Sequence, residues 1–77
     1  MTARIQIKLS ATLKRYTPPA ADDYPIQEGF TVRELLDRLG IPLVEVNLAF
    51  VSGKKANLDA PLADGDQVSL FPPLGGG

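Results

Sequence analysis

The stretch from Phe30 to Pro42 leaves the chain little choice of architecture. Thr31 stands where an N-cap belongs, and Glu34 follows at the spacing that closes a capping box, with Phe30 and Leu35 placed to pack across the cap. Val32, Leu35, Leu36 and Leu39 fall at i, i+3, i+4 and i+7, so they form one apolar stripe and leave Arg33, Glu34, Asp37 and Arg38 to water. Gly40 suits the left-handed residue that closes a helix, and Pro42 prevents its resumption. A helix of about nine residues is too short to persist alone, so its stripe must lie on a sheet.

The flanking segments supply that sheet. Residues 4–9 alternate, with Ile5, Ile7 and Leu9 on one face and Arg4, Gln6 and Lys8 on the other, the period of a half-buried strand. Residues 14–23, with Pro18, Pro19, Asp22 and Asp23, show no helical period and read as a surface connection. A second, weaker strand covers 24–28 and stops at Gly29. Residues 46–51 read as a third strand with apolar residues at both parities, so either both faces are covered or one carries an exposed patch. Ser52-Gly53 closes it, and 54–58 can add a short edge strand. The turn signal Asp64-Gly65-Asp66 then leads into a last strand at 67–71, with Val68 and Leu70 on one face and Ser69 and Phe71 on the other. This order predicts an α+β roll in the β-grasp arrangement, a mixed sheet of four to five strands with one main helix packed on one face.

Composition narrows the chemistry. In 77 residues there is no cysteine and no histidine, so the side chains offer no disulfide, thiolate nucleophile, imidazole base or common zinc site. Eight basic and nine acidic residues give a net charge of −1, which provides no general attraction to nucleic acid or to an anionic membrane. No segment reads as a signal peptide or a spanning helix, and the expected location is cytoplasmic. Asp64 and Asp66 lack the further ligands of a calcium loop and read as turn residues, and no metal site is expected. The glycine run lacks the following helix and the Lys-Ser/Thr of a phosphate-binding loop.

What remains is the ending, Phe71-Pro72-Pro73-Leu74-Gly75-Gly76-Gly77. Prolines cannot extend a ladder and glycines have nothing to pack, so the expected division is a body at 1–72 and a flexible tail at 73–77. Fully extended, that tail reaches roughly 16–18 Å and can thread a channel too narrow for a Cβ. Phe71, opposite the core-facing Val68 and Leu70, is the candidate anchor for a partner, together with Pro72; the alternative is that a neighbouring strand or the tail covers it. Lys8, Lys14, Arg15, Lys54 and Lys55 form a candidate basic patch, though exposed charges are usually just solvated.

From Asp64 to Gly77 the sequence DGDQVSLFPPLGGG resembles the ending of the MoaD/ThiS sulfur carriers, ubiquitin-like proteins whose element order and size also match the whole chain. The Phe-Pro-Pro portion is more similar to the small subunit of molybdopterin synthase than to the thiamine-pathway carriers. One departure is the third glycine where two are usual. The resemblance implies a carrier or co-substrate rather than an enzyme. Its reactive group is the Gly77 carboxylate, which an E1-like enzyme adenylates with ATP and a sulfur donor of the cysteine desulfurase or rhodanese type converts to a thiocarboxylate. Pro73, Leu74, Gly75 and Gly76 form the part that enters the partner's channel. The implied acceptor is the molybdopterin synthase large subunit or an analogous enzyme, and no cofactor is held by the carrier itself. Alternatives are sulfur delivery to thiamine or another thiolation pathway, and a ubiquitin-like modifier joined to targets through Gly77.

Overall fold

Five strands, β1 (Thr2–Leu9), β2 (Tyr24–Gln27), β3 (Leu48–Val51), β4 (Lys54–Ala56) and β5 (Gln67–Phe71), form a single sheet in the order β2-β1-β5-β3-β4, with α1 (Val32–Leu39) packed on one face. The computed structural model describes residues 2–73. The central pair β1 and β5 is parallel and the other pairings are antiparallel, the mixed sheet of a β-grasp fold.

The alternation expected in β1 is present: Ala3, Ile5, Ile7 and Leu9 are buried and Thr2, Arg4, Gln6 and Lys8 exposed. The strand starts at Thr2, earlier than the period alone indicated, because its first residues pair with Gln27 and Ile26 of β2. In α1 the capping box is closed in both directions, Glu34 N–H donating to Thr31 Oγ1 at 3.2 Å and Thr31 N–H to Glu34 Oε1 at 2.9 Å. At the other end Gly40 takes φ +77°, with Gly40 N–H on the Asp37 carbonyl (3.2 Å) and Ile41 N–H on the Leu36 carbonyl (2.9 Å). These crossed bonds are a Schellman stop, and they turn Ile41 back into the core beside Leu36. Val32, Leu35 and Leu36 are fully buried, worth about 1.5–3 kcal/mol each relative to exposure. Leu39, at the end of the stripe, is only half-buried.

Three local readings change. The connection expected at 14–23 begins within a 3₁₀ helix, Ala11–Tyr16, and contains a short one, Ala21–Asp23. The first inserts Leu13 fully into the core, a single apolar contact too isolated to show as a period. Strand β3 begins at Leu48 rather than at residue 46, since a 3₁₀ turn, Leu43–Glu45, occupies the descent from the helix end to the sheet. Ser52 and Gly53 both take positive φ, 52° and 85°, as a two-residue hairpin turn requires, so Val51 pairs directly with Lys54. The edge strand β4 is accordingly three residues long.

Candidate functional site

Strand β5 determines how the ending leaves the body. Its last carbonyls are taken by neighbours on both sides: Ser10 N–H donates to Leu70 O at 3.2 Å and Asn47 N–H to Phe71 O at 2.8 Å. Beyond them Pro72 and Pro73 have no N–H to offer, so the ladder stops where the sequence requires it to. Pro72 is half-buried and Pro73 exposed. The expected channel residues Leu74, Gly75 and Gly76 and the expected reactive Gly77 lie outside the described residues.

Antiparallel pairing of β3 with β5 places Leu48 opposite Phe71, Ala49 opposite Leu70, Phe50 opposite Ser69 and Val51 opposite Val68. Directly opposed residues share a face, so Ala49 and Val51 belong to the helix side while Leu48 and Phe50 join Phe71 on the outer side. This resolves the two-parity pattern of the third strand. Phe71 is neither fully exposed nor hidden: its ring packs edge-on against Phe50, 5.7 Å between centroids at 76°. Phe50 and Leu48 were not singled out from the sequence, since only the register with β5 shows that they accompany Phe71.

One row across four strands runs Lys8, Ser69, Phe50, Lys55. It puts an ammonium on either side of the outer apolar cluster. The wider basic patch does not assemble. Lys54 pairs with Val51 and so belongs to the helix side of the sheet edge. Arg15 is engaged, its Nη2 donating to Glu45 Oε1 and to the Tyr16 hydroxyl, each at 3.1 Å, while Tyr16 OH donates to Glu45 at 3.2 Å. The Tyr16 hydrogen bond and the nearby Glu45 carboxylate hold the Arg15 pKa above its ordinary value, so the cation is permanent. This cluster ties Ala11–Tyr16 to Leu43–Glu45, the two 3₁₀ segments adjoining Ser10 and Asn47, which take the last β5 carbonyls.

The acidic turn is structural. Asp64 Oδ1 accepts from Arg4 N–H (2.8 Å), and Asp66 accepts from Ala63 N–H (2.8 Å) and Ser52 Oγ (3.0 Å). No cluster of three or more His, Cys, Asp or Glu able to hold a metal occurs among the described residues. No helix among them is long and apolar enough to cross a membrane.

Comparison with known proteins agrees with this architecture. Among solved structures, the Haloferax volcanii HVO 2177 protein superposes with a TM-score of 0.76 at 22% identity, over 99% of this chain and 88% of that one. Small archaeal modifier protein 1 of Haloferax volcanii superposes with a TM-score of 0.68 at 25% identity, over 94% and 99%. One chain of the protein–protein complex of subunit 1 and 2 of the molybdopterin-converting factor from Helicobacter pylori superposes with a TM-score of 0.55 at 24% identity, over 100% of this chain and 100% of that one. No curated protein matches the chain. The sequence profile of the family described as Mut7-C ubiquitin matches residues 2–74, nearly the whole length, and the chain with its ubiquitin-like β-grasp sheet belongs to that family.

Proposed function

We propose that this protein is a sulfur carrier in molybdopterin synthesis, acting as a co-substrate whose reactive group is the α-carboxylate of Gly77. The observation that carries the reading is the exit of β5: the sheet ends at Phe71, two prolines lead away from it, Pro73 is exposed, and the sequence continues as Leu74-Gly75-Gly76-Gly77. Two prolines stiffen the base and so reduce the entropy lost on entering a channel, and the terminal glycines, without Cβ, fit a narrow one.

The chemistry suits a carboxylate with no side-chain nucleophile to help it. An E1-like partner attaches the Gly77 carboxylate to the α-phosphorus of ATP, releasing pyrophosphate. A persulfide from a cysteine desulfurase or rhodanese then attacks the acyl carbon, and the C–O bond to AMP breaks. A thiol reduces the resulting acyl disulfide, leaving the thiocarboxylate and a new disulfide. Docking falls to the outer sheet face, where Phe71, Phe50 and Leu48 provide apolar area between Lys8 and Lys55, with Pro72 next in the chain, complementary to an apolar patch rimmed with carboxylates. The Helicobacter pylori complex of subunits 1 and 2 supports an acceptor resembling subunit 2.

Mass spectrometry of the protein recovered from cells tests the reading: oxygen replaced by sulfur at the terminus is expected. Likeness to a small archaeal modifier favours one second reading, conjugation through Gly77, for which isopeptide-linked adducts replace the thiocarboxylate. An unmodified carboxylate in cells making the cofactor overturns both.

A further inference from the structure

The end of α1 presents a surface that the tail chemistry does not use. Leu43 and Val44 are 45% and 85% exposed, the large hydrophobics most open to water among the described residues. They follow Ile41 and Pro42, and Ile41, Pro42 and Leu43 line an open recess of about 490 Å³ whose other wall is Arg33, Glu34 and Asp37. The apolar side is held rigidly: the Schellman bond fixes Ile41, and Val46 N–H on the Leu43 carbonyl (3.1 Å) closes the following turn. Val44, the next residue along, is presented to solvent by an ordered backbone.

The charge around the recess is acidic. Two carboxylates, Glu34 and Asp37, line it against one cation, Arg33, which pairs with Asp59 (3.2 Å), while Glu34 caps the helix. Asp37 makes no ion pair among the described residues. The outer sheet face, by contrast, is apolar between two lysines and lies on the other side of the sheet from α1. Two apolar surfaces of opposite charge, back to back, do not compete for one occupant.

We infer that the recess between Asp37 and Leu43 is a second docking site, for a protein segment that presents a leucine-like side chain flanked by arginine or lysine. The apolar side chain covers Ile41, Leu43 and Val44, and the flanking cation meets Asp37 and Glu34. The inference rests on the recess and its charge alone, so it stands or falls independently of sulfur transfer.

Chemical-shift mapping on the full chain tests it, with the peptide acetyl-Arg-Leu-Leu-Arg-amide as probe and acetyl-Glu-Leu-Leu-Glu-amide as control. The basic peptide is expected to shift the amides of Asp37, Ile41, Leu43 and Val44, and the acidic one to leave them in place. Both Asp37 and Val44 are exposed, so Asp37→Lys and Val44→Ser keep the fold. Asp37→Lys should weaken the basic peptide roughly two- to fivefold, the range of an exposed ion pair, and bring up the acidic one. Equal shifts from the two peptides, shifts confined to Leu48, Phe50 and Phe71, or no shifts at all would each overturn the assignment.

Discussion

Phe71 meets Phe50 edge to face on the outer surface of the sheet, their ring centroids 5.7 Å apart. The two sit diagonally across adjacent antiparallel strands, so the last residue of β5 is held by β3 at the place where the stem begins. One contact thus steadies the end of β5 and forms the middle of the face proposed for docking.

Phe50→Ala separates those two roles. The ring is half-buried, and an aromatic pair adds about 0.5–1.5 kcal/mol beyond its area, so a loss of about 1–2 kcal/mol is expected in urea unfolding. Affinity for the partner that receives the tail should fall about tenfold or more, as for a central aromatic anchor. Calorimetric titration showing unchanged affinity would remove this face from the docking surface.

Leu13 should behave as a core residue although it sits in a 3₁₀ segment. Leu13→Ala is expected to cost about 2–5 kcal/mol, because its side chain has no exposure to lose and leaves a cavity. Leu43→Ala, nearly half exposed, should cost no more than about 0.5 kcal/mol. Paired urea curves giving similar losses would contradict the packing described.

Gly40→Ala tests backbone conformation without a clash. A Cβ there meets nothing within 4 Å, but φ is +77°. The expected loss is about 1–2 kcal/mol, the cost of a left-handed L-residue, with Gly40→Asn less affected. Unchanged midpoints in both variants would show that the Schellman stop is not under conformational constraint.

Removing Gly76 and Gly77 should leave the unfolding midpoint where it is and abolish thiocarboxylate formation. A truncated protein that still accepts sulfur, read by intact mass after incubation with an E1-like enzyme and a sulfur donor, would place the reactive group elsewhere.

The helix was legible because everything that defines it is local. Thr31 and Glu34 find each other three residues apart, and Gly40 closes on Leu36 and Asp37 within one turn. Strand β1 was legible for the same reason, through its period of two. Leu13 was not, since one buried side chain in a 3₁₀ turn leaves no repeat to detect. The acidic turn at Asp64 and Asp66 was recognisable, but its ties to Arg4 and Ser52 bridge distant parts of the chain.

The sequence by itself determined the helix and its caps, the alternating faces of β1 and β5, and the place where two prolines end the ladder, because each follows from sterics and hydrogen bonding between near neighbours. Only the tertiary structure decided which residues stand beside Phe71, why Lys8 and Lys55 share a row while Lys54 and Arg15 do not, and how Pro42 and Leu43 come to line a recess with Asp37. Those relations depend on strand register and on the path from α1 to β3, which are set when the whole apolar set is buried at once and are written in no single stretch of residues.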